Sequence, residues 1–200
     1  MPDNPGKDGR SLLNSEIEKW TKELSKIGSS REHSVFLTGP NGFLGREILR
    51  KILQCPLKPT VTCLMRGKDY HHAHQRFFES CRDLSWWSNS LEERVHVWLG
   101  DLTQPQVGLD ERQWDIIFGL NGRPRQFDVI VHNGAIVNWL EPYESLQKTN
   151  VFSTHEFLAG FLQSQDPPQT IYVSGGYLSS FDETHEELVE KIGQIGRAHV

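Results

Sequence analysis

Membrane and export signals are missing from this sequence. No apolar run approaches the ~20 residues that a transmembrane helix requires. The opening stretch, MPDNPGKDGRSLLNSEIEKW, has no apolar core behind a basic region and is therefore not a signal peptide. The three cysteines, Cys55, Cys63 and Cys81, are odd in number and lack CxxC spacing, which favours reduced thiols. We therefore expect a cytoplasmic protein with no membrane partner.

A basic excess is missing as well. Lys and Arg number 21 against 26 Asp and Glu, whereas nucleic-acid-binding domains usually carry a basic patch. The hydrophobic fraction of 36% and the charged fraction of 24% are ordinary for a globular domain. The length of 200 residues fits one domain, or one domain with an appendage. Nucleic acid is therefore not an expected partner.

Short, β-branched apolar segments alternate with helical segments along most of the chain. Such continuous apolar strands are typical of parallel strands covered on both faces. The alternation predicts an α/β fold with a doubly wound parallel sheet, the Rossmann architecture. Residues 1–32 are expected to form a separate tail or linker with a helix over 16–27. Strands are predicted at 34–38, 60–65, 95–99, 128–132 and 170–174, and helices at 43–54, 70–83, 109–119 and 150–164.

Three glycines, Gly39, Gly42 and Gly45, follow the first predicted strand and open the first predicted helix. In a G-x-x-G-x-x-G turn, the first glycine permits a tight bend and the second lets the backbone approach a pyrophosphate. The third lets the helix pack on the sheet. Backbone N–H groups and the positive end of the helix dipole then face the phosphates. An ordinary βα turn is the alternative, and the strand-turn-helix context favours a dinucleotide.

The end of the second strand selects the dinucleotide. NAD enzymes usually place an acidic residue there for the ribose 2′-OH, whereas NADP enzymes place an arginine near the 2′-phosphate. Here the segment VTCLMRGKDY supplies Arg66 and Lys68, and no acidic residue precedes Asp69. A solvated surface arginine is the alternative reading of Arg66. The pattern favours NADPH over NADH.

Two further segments follow predicted strands and are candidates for the rest of the cofactor. Asp101 and Leu102, in GDLTQP, are placed to contact adenine, although an aspartate there also suits a simple turn. The small residues of Asn133-Gly134-Ala135 leave room for a cofactor to lie over the carboxyl ends of the strands.

Five segments together resemble a known family. In chain order they are TGPNGFLGREIL, CLMRGKD, GDLTQPQVGL, HNGAIVNWLEPYESLQKTNVFST and IYVSGG. They resemble the thioester reductase domains of the extended short-chain dehydrogenase/reductase superfamily. That group includes the terminal reductases of nonribosomal peptide and polyketide synthases, the aminoadipate reductases and the carboxylic acid reductases. The resemblance covers residues 34–176, and the block from HNGA to NVFST is more specific than the glycine triplet.

The resemblance implies NADPH-dependent release of a carrier-bound acyl thioester as an aldehyde, sometimes as an alcohol. It also implies cofactor contacts, carried over by position. The phosphate turn would consist of Asn41, Gly42, Phe43 and Leu44, with Gly39 and Gly45 on either side. Arg66 and Arg76 would bind the 2′-phosphate, and Asp101 and Leu102 the adenine. Asn133, Gly134 and Ala135 would flank the bridge to the nicotinamide, and Asn150 would support the active-site floor.

The catalytic pair of that family is missing from this chain. The family uses a Ser or Thr after the fifth strand, a Tyr that donates a proton, and a Lys four residues after the Tyr. Here Tyr143 is followed at that spacing by Gln147 and Tyr177 by Phe181, and no Y-x-x-x-K occurs. The hydroxyl position itself is glycine, so Ser174 is the candidate substitute. We expect no metal site, because the histidines of YHHAH lack Cys or acidic partners at ligand spacing.

The last six residues, IGRAHV, match the translation of a common sequencing-library adapter. We therefore expect residues 195–200 to be non-native and 33–194 to be a partial NADP-binding domain, with its sheet incomplete on the C-terminal side. Such a chain would be inactive alone. Two alternatives stay open. One is a fragment of another extended reductase, such as a fatty acyl-CoA reductase; the other is a non-catalytic NADP-binding regulatory or interaction module.

Overall fold

The computed structural model describes residues 33–138 and 140–174, which form a parallel sheet covered by helices. Within these residues the strand order is β3-β2-β1-β4-β5, so the chain reverses direction across the sheet between β1 and β4. The strands are β1 (Ser34–Thr38), β2 (Thr60–Met65), β3 (Val95–Leu99), β4 (Val129–His132) and β5 (Gln169–Tyr172). The doubly wound α/β prediction is confirmed.

Helices connect successive strands. They are α1 (Phe43–Leu53), α2 (Tyr70–Arg82), α3 (Asn89–Glu92), α4 (Glu111–Phe118), α5 (Tyr143–Gln147) and α6 (Ser153–Gln163). A π-helical turn, Lys148–Phe152, joins α5 to α6 without a break in helical backbone. Within the described residues, no helix is both long enough and apolar enough to span a membrane.

Side chains alternate across the sheet and build a core on each face. On β1, Val35 and Leu37 join a cluster that includes Leu49 of α1 and Phe77 of α2. Phe36 points to the opposite face and packs in a second cluster with residues of α4 and α6. This period of two follows from the pleat of a strand. Both faces of the sheet are therefore covered by packed side chains, and a ligand can reach the sheet mainly at the ends of the strands.

Local signals explain where two helices begin. Asp69 accepts a hydrogen bond from the backbone N–H of His72 and caps α2. Asp110 and Gln113 form a reciprocal capping box at the start of α4, and Gly119 closes that helix in a left-handed conformation. The helix predicted at 109–119 is thus two residues shorter at its start.

The bounds of β1, β2 and β3 agree with the sequence prediction, while later elements differ. Strand β4 starts one residue late, and β5 runs over 169–172 instead of 170–174. The helix predicted at 150–164 begins at Tyr143, because the π-helical turn interrupts the regular spacing that located it. The short helix α3 was not predicted. The helix predicted over 16–27 lies outside the described residues.

Candidate cofactor-binding site

The glycine turn between β1 and α1 is fixed by close contacts at its first and third glycines. Gly39 has φ +65°, and a Cβ there would lie 2.7 Å from Gly134 Cα. A Cβ on Gly45 would lie 1.9 Å from the carbonyl oxygen of Gly39. Neither position accepts a side chain. These contacts explain the spacing of the two glycines by packing alone.

The second glycine, Gly42, has a different role. Its φ of −71° suits any residue, and an added Cβ would meet only Gly39 O, at 3.6 Å. The fold therefore does not require glycine here. Gly42 is the N-cap of α1, and the next two side chains, Phe43 and Leu44, are exposed. A helix N-terminus whose cap has no side chain leaves room for a phosphate to reach the backbone N–H groups.

Two arginines lie together beyond the end of β2. Arg66 follows the last residue of the strand, and Arg76 Nη1 donates a hydrogen bond to Arg66 O at 2.9 Å. Both side chains are exposed. Asp69, three residues after Arg66, is engaged as the cap of α2. Two exposed arginines therefore follow β2, and their contact with a 2′-phosphate stays a prediction.

The loop after β3 brings the two predicted adenine contacts to the same edge. Asp101 Oδ1 accepts hydrogen bonds from Thr103 N and Thr103 Oγ1, both at 2.9 Å. Leu102 packs against Gly134, where an added Cβ would lie 2.6 Å from Leu102 Cδ1. Asp101 therefore does form a turn, and that turn places Leu102 beside the loop that follows β4.

Thr38, the last residue of β1, organises the loop after β4. Its Oγ1 accepts the N–H of Asn133 at 3.1 Å and that of Gly134 at 2.8 Å. Asn133 Nδ2 in turn donates to Gly39 O at 3.1 Å. The glycine turn and the Asn133-Gly134-Ala135 segment are thereby joined into one wall at the point where the strand order reverses, where open α/β sheets bind ligands.

A buried histidine lies behind this wall. Because Thr38 Oγ1 already accepts two N–H groups, its hydroxyl donates to His132 Nδ1, 2.8 Å away. His132 Nε2 then donates to Ser153 Oγ at 3.1 Å, and that hydroxyl donates to Thr149 O. The arrangement requires a neutral imidazole, and burial lowers the pKa of His132 from 6.5 to about 4.

Asn150 lies in the π-helical turn and uses both ends of its amide. Its Oδ1 accepts the N–H of Ile136 at 2.8 Å, and its Nδ2 donates to Ile136 O at 3.0 Å. It therefore fixes the backbone just after Ala135, which is exposed at the edge of the site. π-Helical turns often occur at functional sites. The position suits the supporting role that the resemblance implies.

Ser174 lies two residues beyond β5, at the same edge of the sheet, and its side chain is exposed. The preceding residue, Val173, donates its N–H to His132 O at 2.9 Å, which places this end of the chain beside β4. No Y-x-x-x-K exists in the sequence to accompany the serine. The expectations for 175–194 and for the tail 195–200 lie outside the described residues.

Sequence reasoning missed the hydrogen-bonded chain through Thr38, His132 and Ser153. Its partners are separated by 94 and 21 positions, and the segments that resemble the family contain all three residues without linking them to one another. One signal was available: Thr38 and His132 are polar residues that end two apolar strands, and the two strands pair in register there. Such a pair meets side by side on one face of the sheet.

Comparisons with known proteins agree with this geometry. Residues 37–197 match the NAD-binding family model described as male sterility protein. A nonribosomal peptide synthetase-like enzyme, fsqF of Aspergillus fumigatus, is 44% identical over 154 residues, which are 76% of this chain and 10% of that enzyme. The PhqB reductase domain from Penicillium fellutanum superposes with a TM-score of 0.63 at 26% identity, covering 93% of this chain and 49% of that one.

A second solved structure gives the same result. The terminal R domain from the myxalamid PKS-NRPS biosynthetic pathway superposes with a TM-score of 0.63 at 28% identity, covering 86% of this chain and 46% of that one. The chain therefore spans a tenth of the length of the synthetase-like relative and just under half of each solved reductase domain.

Proposed function

This chain belongs to the family of NAD-binding domains described as male sterility protein, and on that premise we propose that it binds NADPH as part of a thioester reductase. It is the nicotinamide-cofactor-binding portion of a terminal reductase domain of the nonribosomal peptide synthetase type. In the complete enzyme, the proposed reaction releases an acyl thioester, held on the phosphopantetheine arm of a carrier protein, as an aldehyde.

The observation that carries this proposal is the contact between the β1 and β4 loops at the reversal point of the sheet. A Cβ on Gly39 would lie 2.7 Å from Gly134 Cα and a Cβ on Gly134 would lie 2.6 Å from Leu102 Cδ1, whereas a Cβ on Gly42 would meet only Gly39 O, at 3.6 Å. This arrangement places backbone without side chains beside a helix N-terminus. It fits a pyrophosphate on α1, with the rest of the dinucleotide along the carboxyl edge.

Each part of the cofactor has a proposed contact. The amides around Gly42 would hold the pyrophosphate, and Arg66 with Arg76 would hold a 2′-phosphate. The loop that carries Asp101 and Leu102 would hold the adenine. The phosphate contact is the one that favours NADPH over NADH, because guanidinium groups bind phosphate oxygens strongly and a ribose hydroxyl weakly.

The chemistry divides between cofactor and protein. NADPH, when bound, supplies the hydride that reduces the thioester carbonyl. The wall formed by the loops after β1 and β4 would orient the nicotinamide, with Asn150 holding the backbone behind it. Ser174 is the proposed hydrogen-bond donor to the thioester carbonyl. Because the sequence contains no Y-x-x-x-K, we propose that this 200-residue chain alone binds the cofactor without turning it over.

The missing Y-x-x-x-K also favours a second candidate, a non-catalytic NADP-binding regulatory or interaction module. The two candidates share the cofactor site and differ in the need for a substrate. A module of this kind would bind NADPH without any affinity for an acyl-loaded carrier protein. A reductase fragment would retain some carrier contact at the edge that holds Ser174.

The test is a binding titration of the 200-residue chain with NADPH and NADH, followed by fluorescence of the nicotinamide. We expect NADPH to bind at least about tenfold more tightly, equivalent to about 1.4 kcal/mol. Absence of binding by both nucleotides would overturn the proposal. A parallel assay with an acyl-pantetheine thioester should show no oxidation of NADPH, and measurable turnover would contradict the inactivity of the chain alone. Pull-down with an acyl-loaded carrier protein separates the reductase fragment from the module.

A further inference from the structure

The loop Gly100–Leu109, which follows β3 and is called the adenine-side loop below, contains an unusual backbone. Gln106 and Val107 both lie in the left-handed region, with φ of 49° and 51°, and Gly108 continues it at 75°. Two consecutive non-glycine residues in this region are rare, and a β-branched valine is especially disfavoured. Some contact outside the local sequence must stabilise this conformation.

Two contacts hold the strained residues. Val107 is fully buried in the core beneath the loop, and its carbonyl oxygen accepts the N–H of Asp101 at 2.7 Å. Gln106 donates its N–H to Glu156 Oε2 at 2.5 Å. The first contact closes the loop on itself, whereas the second reaches it from α6, fifty positions away in the sequence.

The acceptor, Glu156, lies on α6, the helix that also contacts the loop after β4 through Ser153. Glu156 lies three residues after Ser153, and residues at this spacing share one face of a helix. Ser153 is the acceptor for His132 behind the β4 loop. One face of α6 therefore contacts both the β4 loop and the adenine-side loop. A charged acceptor makes a stronger hydrogen bond than an amide would.

The position of the adenine-side loop has a direct consequence for the site. Asp101 donates its N–H to Val107, so a change in the backbone at Gln106 and Val107 is transmitted to Asp101. Leu102, the next residue, packs against Gly134. A loop that relaxed out of the left-handed conformation would move both adenine contacts together.

We propose that Glu156 is a positioning residue that holds the adenine-side loop in the conformation that accepts the adenine half of the cofactor. This inference rests on the proposed function, because it presupposes that a dinucleotide binds at this edge. Glu156 would act through the backbone of Gln106 and would not touch the cofactor. Its effect would therefore be confined to the adenine half.

The test compares the two halves of the cofactor separately. Binding of NADPH, of 2′,5′-ADP and of reduced nicotinamide mononucleotide is measured calorimetrically for the 200-residue chain and for Glu156→Ala, with folding checked by circular dichroism. We expect Glu156→Ala to weaken NADPH and 2′,5′-ADP about tenfold each, equivalent to about 1.4 kcal/mol, and to leave the nicotinamide half unchanged. Glu144→Ala, on the exposed side of α5, is the matched control and should bind like the wild type.

A second variant tests the cause. Glycine adopts the left-handed region freely, so Gln106→Gly should remove the need for the carboxylate. The double variant Gln106→Gly/Glu156→Ala should therefore recover 2′,5′-ADP affinity to within about threefold of wild type. Glu156→Gln should recover it as well, because its Oε1 can accept the same N–H. If Glu156→Ala does not fold, Gln106→Gly/Glu156→Ala is compared with the wild type instead, because its loop does not need the carboxylate.

The outcomes separate this inference from the proposed function. If the wild-type chain binds neither NADPH nor 2′,5′-ADP, the proposed function fails and this inference fails with it. If the wild type binds both and Glu156→Ala binds 2′,5′-ADP equally well, only the inference is overturned. The inference is also overturned if Glu156→Ala weakens 2′,5′-ADP and reduced nicotinamide mononucleotide by the same factor. It is likewise overturned if neither Glu156→Gln nor the double variant recovers the affinity for 2′,5′-ADP.

Discussion

Thr38 Oγ1 lies 2.8 Å from His132 Nδ1, and the two residues are register partners at the carboxyl ends of β1 and β4. The same oxygen accepts the N–H groups of Asn133 and Gly134, which form the wall of the candidate site. The hydroxyl hydrogen therefore has only the imidazole to bond with. A protonated imidazole has no lone pair at Nδ1 and would break this arrangement. The shape of the wall depends on the charge state of His132.

The first prediction concerns acid stability. Burial lowers the pKa of His132 to about 4, whereas in the unfolded chain it returns towards 6.5. Between these values the unfolded state binds more protons, so the free energy of unfolding falls as pH drops. The stabilisation is fully present above pH ~6.5 and is lost as pH falls towards ~4, with a total of about 3 kcal/mol. Urea unfolding across this pH range measures it.

Two variants isolate the contribution of His132 from the rest of the pH dependence. His132→Gln stays neutral and should lose the part of the pH dependence that His132 contributes. His71→Gln, an exposed change on α2, should keep the wild-type dependence. If the free energy of unfolding depends on pH in the same way for wild type and His132→Gln, the pKa of His132 does not differ between the folded and unfolded states, and the prediction is wrong.

The second prediction separates the glycines of the turn. Gly45→Ala places a Cβ 1.9 Å from a backbone oxygen and should destabilise the fold by about 3 kcal/mol or more. Gly42→Ala meets only ordinary contact at 3.6 Å and should cost at most about 1 kcal/mol, the effect of a poorer helix cap. Because the cap of α1 is the proposed pyrophosphate position, Gly42→Ala should still weaken NADPH about tenfold. Thermal unfolding and nucleotide titration together check this, and equal stability losses for the two variants would contradict it.

The third prediction uses the paired hydrogen bonds of Asn150. Asn150→Asp keeps an acceptor for Ile136 N–H but loses the donor to Ile136 O and sets a carboxylate oxygen against it. Leaving that carbonyl unsatisfied should cost about 1–3 kcal/mol in the free energy of unfolding. Asn138 is the matched control, since its Oδ1 only accepts, from Leu140 N, and Asn138→Asp preserves that bond. The idea fails if the two aspartate variants unfold at the same denaturant concentration.

Prediction from sequence succeeded where a feature is local. The apolar, β-branched character of β1, β2 and β3 predicted their bounds, and the glycine spacing predicted the turn at Gly39. It failed where a residue acts on a distant backbone. Glu156 gives no local signal, because its partner is a main-chain N–H on another loop. The π-helical turn was also not predicted, because it changes the α-helical period of 3.6 residues on which the helix prediction rests. Asn150 was named only through the family resemblance, and its role at the site stays a prediction.

The last prediction concerns the choice of nucleotide. Arg66 and Arg76 are both exposed, and Arg76 Nη1 donates a hydrogen bond to Arg66 O, so the two residues are neighbours beyond the carboxyl end of β2. Arg66→Gln should weaken NADPH about tenfold while leaving NADH unchanged, because the proposed partner of Arg66 is the 2′-phosphate, which NADH lacks. Arg82→Gln, exposed at the end of α2, should change neither affinity.

Salt gives an independent check on the same pair. A phosphate–guanidinium contact at an exposed site is screened as ionic strength rises, so the preference for NADPH should narrow between low salt and 0.5 M salt in the wild type. In Arg66→Gln the remaining preference should be smaller and should depend less on salt. If the variant loses affinity for NADPH and NADH by the same factor, Arg66 contacts a part common to both nucleotides, and the 2′-phosphate assignment is wrong.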